Sequence, residues 1–108
     1  MTKAILLDPQ TSSIMPTEVD GFEDIQRKIG CRCFTCVRFP DGKHVAYVDD
    51  EGLINGTEYG TMFNDEIYPE PLMGKVLIIG TNNAGEDVDC TIKGSELQDM
   101  IEGIVKLS

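Results

Sequence analysis

The sequence lacks the features that place a protein in a membrane or mark it for export. None of its apolar runs approaches the roughly 20 residues needed to span a bilayer. The apolar stretch at residues 4–7 is too short for the hydrophobic region of a signal peptide, and no small-residue cleavage site follows it. We therefore expect a cytoplasmic protein without membrane contact. Its four cysteines are then expected to be reduced thiols.

A recognisable catalytic or metal-binding constellation is also missing. The single histidine, His44, has no orienting group or oxyanion site marked by the sequence, so we expect an exposed hairpin residue, although spacing alone leaves a Cys–His pair open. In a strand, Cys36 would point away from the face shared by Cys31 and Cys33, which opposes a tetrahedral zinc site. Buried thiols that pack as small apolar groups are the favoured interpretation. The sequence thus predicts no enzyme, no metal and no cofactor.

Basic residues are scarce, and their placement is uneven. The chain has 9 Lys and Arg against 19 Asp and Glu, a net charge of −10. Residues 44–92 contain ten acids and one basic residue, whereas residues 27–43 contain five basic residues and one acid. This basic segment is a candidate seat for a small anion or for an acidic patch on a partner, and scattered solvent-facing side chains are the alternative.

The pattern of apolar residues and turn signals predicts a single α+β domain over residues 1–108. It indicates a mainly antiparallel sheet with two helices packed on one face. The first helix is expected after Asp20 as N-cap and ends at Gly30. The second is expected to carry an apolar face through residues 97–105. The predicted strands cover residues 3–7, 14–19, 31–39, 45–48, 75–80 and 88–92, while residues 53–68 give no clear pattern.

A candidate ligand site combines the basic segment with rings and neutral hydrogen-bonding groups. A nucleotide needs a cation for its phosphate, a ring to stack on its base and amides or hydroxyls to read base edges. Core packing is the alternative role of any one of these rings. The predicted ligand-binding residues are Arg32, Phe34, Arg38, Tyr47, Asn55, Thr57, Tyr59 and Asn64.

The order of segments resembles domain-of-unknown-function family 3846, which is carried mostly by phages, plasmids and other mobile elements. The resemblance rests on residues 6–9, 19–26 with 29–30, 47–53 and 73–80. It covers most of residues 4–85. The sequence departs from the family at residues 56–61, where members usually place an asparagine followed by basic residues.

The resemblance implies a phage accessory protein that acts by stoichiometric binding, and two classes of function fit. The first is an anti-defence sponge that sequesters a cyclic nucleotide immune signal at the interface of a homo-oligomer. The second is an acidic inhibitor or DNA mimic that occupies a host defence or DNA-binding protein. The clustered basic residues favour the sponge. We expect the protein not to bind nucleic acid directly. A small regulatory subunit and an enzyme with an unmarked site stay open.

Overall fold

Strands dominate the part of the chain that the computed structural model describes, which comprises residues 1–30, 33–49 and 58–106. Its elements in chain order are β1 (Thr2–Asp8), β2 (Ser13–Val19), α1 (Phe22–Ile29), β3 (Phe34–Arg38), β4 (His44–Asp49), β5 (Tyr59–Phe63), β6 (Leu72–Met73), β7 (Val76–Thr81), β8 (Asp87–Val88), α2 (Gly94–Met100) and β9 (Ile101–Lys106). Neither of these two helices is long and apolar enough to cross a membrane.

The strands form two antiparallel sheets. The larger sheet has the order β2-β1-β7-β4-β3, and the short strand β8 pairs with the end of β7. The smaller sheet has the order β6-β5-β9. The predicted α+β class, with a mainly antiparallel sheet and two helices, is confirmed.

Strand β7 is the centre of the larger sheet, as its unbroken apolar run predicts. It lies between β1 and β4, and its residues Val76, Leu77, Ile78 and Ile79 are fully buried. Because successive side chains of a strand point to opposite faces, these four residues require cover on both faces of the sheet. The larger sheet therefore has a separate apolar core on each side.

The two helices cover different faces of this sheet, whereas the prediction placed both on one face. Ile25 and Ile29 of α1 pack with Leu77 and other residues in one core. Leu97 of α2 packs in the second core, which includes Ile78 and the residues of the smaller sheet. The sequence shows that each helix is amphipathic, but it does not show which face of the sheet each helix meets.

Helix α1 begins one residue later than predicted and ends where predicted. Gly21, not Asp20, precedes its first residue, and Asp24 Oδ2 accepts a hydrogen bond of 2.9 Å from Asp20 N. Gly30 ends the helix in the left-handed conformation with φ 79°, and its N–H donates to Gln26 O. A glycine adopts this conformation without the steric cost that a side chain brings.

The prediction of one helix through residues 97–105 is wrong. Helix α2 ends at Met100, and residues Ile101–Lys106 form strand β9. Strand β9 pairs with β5, which has only the two-residue strand β6 on its other side. Ile101, Ile104 and Val105 fit a helical period, but pairing with β5 satisfies their backbone groups as a strand. Tertiary pairing thus overrides the local pattern.

Candidate functional site

One face of the β3–β4 hairpin brings together three of the predicted ligand-binding residues. Phe34, Cys36 and Arg38 alternate along β3 and therefore share a face. Arg38 lies opposite Val45, whose side chain belongs to the core that α1 covers. Tyr47 lies opposite Cys36 on the same face. Phe34, Arg38 and Tyr47 thus lie on the α1 side of the larger sheet.

Three rings are in contact on this side of the sheet. The centroid of the Phe34 ring lies 4.8 Å from that of Phe22 and 5.0 Å from that of Tyr47. Phe22, at the first position of α1, is 61% exposed, which is unusual for a phenylalanine that helps to cover a core. We call Phe22, Phe34 and Tyr47 the aromatic face. It combines a buried side that packs on the sheet with an outer ring open to solvent.

The Tyr47 hydroxyl is held in place by a carboxylate from β8. Tyr47 OH donates a hydrogen bond of 2.7 Å to Asp87 Oδ1. Burial and the nearby Asp87 carboxylate raise the pKa of the Tyr47 phenol well above its ordinary value of 10.0, because both disfavour the phenolate. Tyr47 is therefore neutral and oriented, and its ring presents one fixed surface to Phe34.

Two further predicted ligand-binding residues, Tyr59 and Asn64, do not join this face. Tyr59 begins β5 in the smaller sheet, with Lys106 Nζ 5.5 Å from the centre of its ring. Asn64 follows the far end of β5, and its Oδ1 accepts hydrogen bonds from the N–H groups of Glu66 and Ile67. These bonds close a turn, so the amide is engaged with the backbone. Arg32, Asn55 and Thr57 lie outside the described residues.

A hollow of about 420 Å³ lies beside the end of α1, and its lining includes three acidic residues. Asp8, Asp49 and Glu58 supply its carboxylates, Lys75 is the cation among its described lining residues, and Tyr59 supplies a ring. Gly30 also lines it, so the carbonyl end of the α1 dipole lies nearby. The carboxylates and the carbonyl end of α1 favour a positively charged ligand group over a phosphate.

His44 is buried rather than exposed, which corrects the prediction for this residue. It is 4% exposed at the start of β4, and its Nδ1 lies 2.7 Å from Asp41 Oδ2. Its Nε2 accepts a hydrogen bond of 3.1 Å from Thr91 N, and Thr91 Oγ1 lies 3.1 Å from the same nitrogen. Because Nε2 is an acceptor, Nδ1 carries the proton and donates to Asp41.

The Asp41–His44–Thr91 chain of hydrogen bonds is not among the predicted features, and only part of it has a local signal in the sequence. Asp41 lies in the hairpin turn three residues before His44, a spacing that lets one carboxylate reach the backbone and the ring: Asp41 Oδ1 also accepts hydrogen bonds from the N–H groups of Lys43 and His44. Thr91 is 47 residues away. The order carboxylate, imidazole, hydroxyl resembles a nucleophile triad, but the backbone N–H of Thr91 also donates to His44 Nε2, the nitrogen that would act as the base.

The two described cysteines of the Cys31, Cys33 and Cys36 cluster are not the buried packing groups that the sequence predicts. Cys33 and Cys36 are exposed free thiols, so that prediction is wrong for both, and Cys31 lies outside the described residues. Cys90 is half-buried, and burial raises the pKa of its thiol. Among the described residues, no group of three or more His, Cys, Asp or Glu side chains could hold a metal ion.

Together, the fold and these surfaces define a small two-sheet α+β protein with an exposed aromatic face and a separate acidic hollow. The chain belongs to the family described as a domain of unknown function (DUF3846), which matches residues 1–102. This match confirms the resemblance found in the sequence.

A curated relative comes from Sinorhizobium fredii (strain NBRC 101917 / NGR234), where it is named uncharacterized protein y4iR. The chain is 40% identical to it over 79 residues, which are 70% of this chain and 47% of the relative. The chain therefore spans about half the length of that relative. No solved structure matches the chain.

Proposed function

We propose that this protein is a non-catalytic binding protein for a small anionic ligand of the cyclic nucleotide class. In the cell, it would sequester such a signal and so act as an anti-defence sponge in the cytoplasm. The observation that carries the proposal is the aromatic face, with the 61% exposed ring of Phe22 in contact with Phe34, on the side of the sheet that also bears Arg38.

The rings supply a stacking surface. A nucleobase stacks on an aromatic side chain with a gain of about 1–3 kcal/mol, and Phe22 offers an exposed ring backed by a second one. Phe34 is in turn held by Tyr47, whose hydroxyl is bonded to Asp87. A surface that is already ordered loses little side-chain entropy when the ligand binds.

Arg38 supplies the cation. It is exposed on β3, two residues from Cys36 and four from Phe34 on the same face. A guanidinium pairs with a phosphate through two parallel hydrogen bonds, so one or two arginines are sufficient for a phosphodiester. The overall charge of −10 does not oppose this pairing, because salt screens charges more than about 8–10 Å away.

The direct test is native mass spectrometry of the protein with a panel of cyclic di- and trinucleotides. We expect one of them to bind intact at a defined stoichiometry. Phe22→Ala and Arg38→Glu should each weaken this binding at least tenfold, because they remove the exposed ring and the cation. Lys43→Glu is the matched control for charge, since Lys43 is also exposed on the hairpin but lies outside strand β3.

Two results would contradict the proposal. If the protein binds no member of the panel, the ligand class is wrong. If the Phe22→Ala and Arg38→Glu variants both bind like the wild type, the aromatic face is not the site. Conversion of a cyclic nucleotide into a product of different mass would replace sequestration with catalysis.

A second candidate function follows from the acidic hollow. The carboxylates of Asp8, Asp49 and Glu58 beside the carbonyl end of α1 would receive an Arg or Lys side chain of a host protein. This arrangement supports an acidic inhibitor that covers a basic surface. Glu58→Lys should then abolish capture of a defined host protein, while Asp65→Lys, at an exposed position outside the hollow, should not.

A further inference from the structure

Strand β3 forms one edge of the larger sheet. No described strand pairs with its outer side. Edge strands with unpaired N–H and C=O groups are templates for pairing with another chain, and proteins commonly block them with proline or charge. The opposite edge, β2, carries Pro16 and Glu18, whereas β3 has no proline and one charged residue, Arg38.

The hydrogen bonds of the hairpin show which backbone groups of β3 point outward. Phe39 N donates to His44 O at 3.0 Å, so the residue pair Phe39 and His44 is hydrogen-bonded. Hydrogen-bonded and non-hydrogen-bonded pairs alternate along an antiparallel ladder. The backbone groups of Val37 and Thr35 therefore point toward β4, and those of Phe34, Cys36 and Arg38 point away from it. These three residues are also the ones on the aromatic side.

We propose that a second copy of this chain pairs with this edge, β3 against β3, antiparallel and centred on Cys36. A twofold axis at Cys36 places Phe34 of one copy opposite Arg38 of the other. The outward backbone groups of Phe34 then bond to those of Arg38 in the other copy, and those of Cys36 bond to Cys36 of the other copy. This pairing gives about six backbone hydrogen bonds. The strand is thus self-complementary in the positions of its N–H and C=O groups.

The side chains are self-complementary in the same register. On the aromatic side, the Arg38 guanidinium of each copy lies across from the Phe34 ring of the other, an arrangement that allows a cation–π contact. On the opposite side, Thr35 faces Val37, which is half-buried against the larger core. The two Arg38 residues are four positions apart along the ladder, roughly 13 Å, where salt screens their repulsion.

If the proposed function is correct, the interface also forms the ligand site. The assignment of the ligand site rests on the proposed function, whereas the dimer does not. In the pair, each ring of Phe34 lies next to the arginine of the other copy, so one ligand site takes its ring and its cation from two subunits. A monomer would present Phe34 and Arg38 four residues apart on its own strand. The dimer itself requires no ligand.

Sedimentation velocity of the ligand-free protein tests the interface. We expect a dimer at tens of micromolar for the wild type. Cys36→Pro removes the outward N–H at the centre of the pair without removing a hydrogen bond to β4, and it should weaken the dimer at least tenfold. Cys36→Ser keeps the N–H and should not weaken it. Arg38→Glu, a second disrupting variant at an exposed position, should also weaken it, and Lys43→Glu should not.

Chemical cross-linking tests the register. A variant with Cys36 as its single cysteine should be joined by a short bis-maleimide, because the two Cys36 residues face each other across the axis. A variant with Cys33 as its single cysteine is the control, since the two Cys33 residues would be about six positions or 20 Å apart. Both thiols are exposed and therefore reactive toward the reagent.

Each outcome bears on the interface. A monomeric wild type, or a dimer that persists in both Cys36→Pro and Arg38→Glu, would overturn it. Equal cross-linking of the Cys33 and Cys36 variants would overturn the register. A dimer that binds no cyclic nucleotide would support the interface and refute the proposed function. A monomer that binds a cyclic nucleotide would support the proposed function and refute the interface.

Discussion

Thr91 is bonded to His44 through both its backbone and its side chain, with the N–H and Oγ1 each 3.1 Å from His44 Nε2. The contact joins the segment before α2 to the β3–β4 hairpin, across 47 residues of sequence. Asp41 completes the chain from the other side of the ring at 2.7 Å. A buried imidazole with partners on both nitrogens is a structural connector between the two segments.

Replacing His44 should therefore destabilise the fold. We expect His44→Ala to lower the free energy of unfolding by about 2–4 kcal/mol, because it removes a buried ring and breaks its hydrogen bonds to Asp41 and to the Thr91 N–H. Urea denaturation measures this change. Thr91→Val is the control: it keeps the backbone hydrogen bond and should cost about 1 kcal/mol. A His44→Ala variant as stable as the wild type would refute the connector role.

Asp41 should make stability depend on pH in the acidic range. Burial raises the pKa of Asp41, but hydrogen bonds from Lys43 N and from His44 lower it more, so its pKa lies below the ordinary 3.8. Its contribution is therefore complete above pH 3.8 and is lost as the pH falls below that value. We expect Asp41→Asn to flatten the loss of stability between about pH 4 and about pH 2, measured by urea denaturation.

Asp65→Asn is the control for that series, because Asp65 is exposed in the turn after β5. If Asp65→Asn flattened the acid dependence as much as Asp41→Asn, the hydrogen bonds around Asp41 would not be its source.

Tyr47 should show the opposite dependence at alkaline pH. Its pKa is raised above 10.0 by burial and by the hydrogen bond to Asp87, so this bond contributes fully below pH 10.0 and is lost as the pH rises through the higher value of the folded protein. Tyr47→Phe should cost about 1 kcal/mol near neutral pH. Thermal denaturation gives this cost, and tyrosinate absorbance should show one phenol fewer at the alkaline end of the titration. A normal titration of all tyrosines in the wild type would contradict the hydrogen bond between Tyr47 and Asp87.

Replacement by alanine should affect stability differently at two glycines in strands. A Cβ at Gly80 in β7 would lie 2.5 Å from the Asp89 carbonyl oxygen and 2.9 Å from that of Val88, so Gly80→Ala should destabilise the protein by about 1–3 kcal/mol. At Gly103 in β9, a Cβ meets no described heavy atom within 4 Å, and Gly103→Ala should change stability by less than about 0.5 kcal/mol. Melting temperatures of the two variants compare them directly. Equal shifts would mean that β8 does not approach β7 as closely as described.

Several local elements could be predicted because their signals are local. The apolar run before Gly80 predicts a strand buried on both faces, and β7 has this placement. Gly30 predicts the end of α1, since a helix commonly ends at a residue with positive φ. Pro16 restricts its segment to an edge strand or a bulge, and β2 is the edge of the larger sheet.

The failures occur where distant segments decide the outcome. Residues 101–106 have apolar side chains at spacings that suit a helix, yet they pair with β5. His44 has the sequence context of an exposed hairpin residue, but its ring is buried and hydrogen-bonded to Thr91 from a distant segment. Of the predicted site residues, Phe34, Arg38 and Tyr47 share a face because of β-strand alternation, whereas Tyr59 and Asn64 lie at opposite ends of a strand in the other sheet.

The sequence by itself determined the α+β class and the central strand, because turn residues and short-range periodicity act between near neighbours in the chain. It also determined the family, because the order of the segments is itself a property of the sequence. Only the tertiary structure decided which face of the sheet each helix covers, that β9 is a strand, and that Phe22 stays exposed beside Phe34. These features depend on contacts between residues far apart in the chain, and the burial of apolar area and the pairing of backbone groups select among arrangements that the local pattern permits equally.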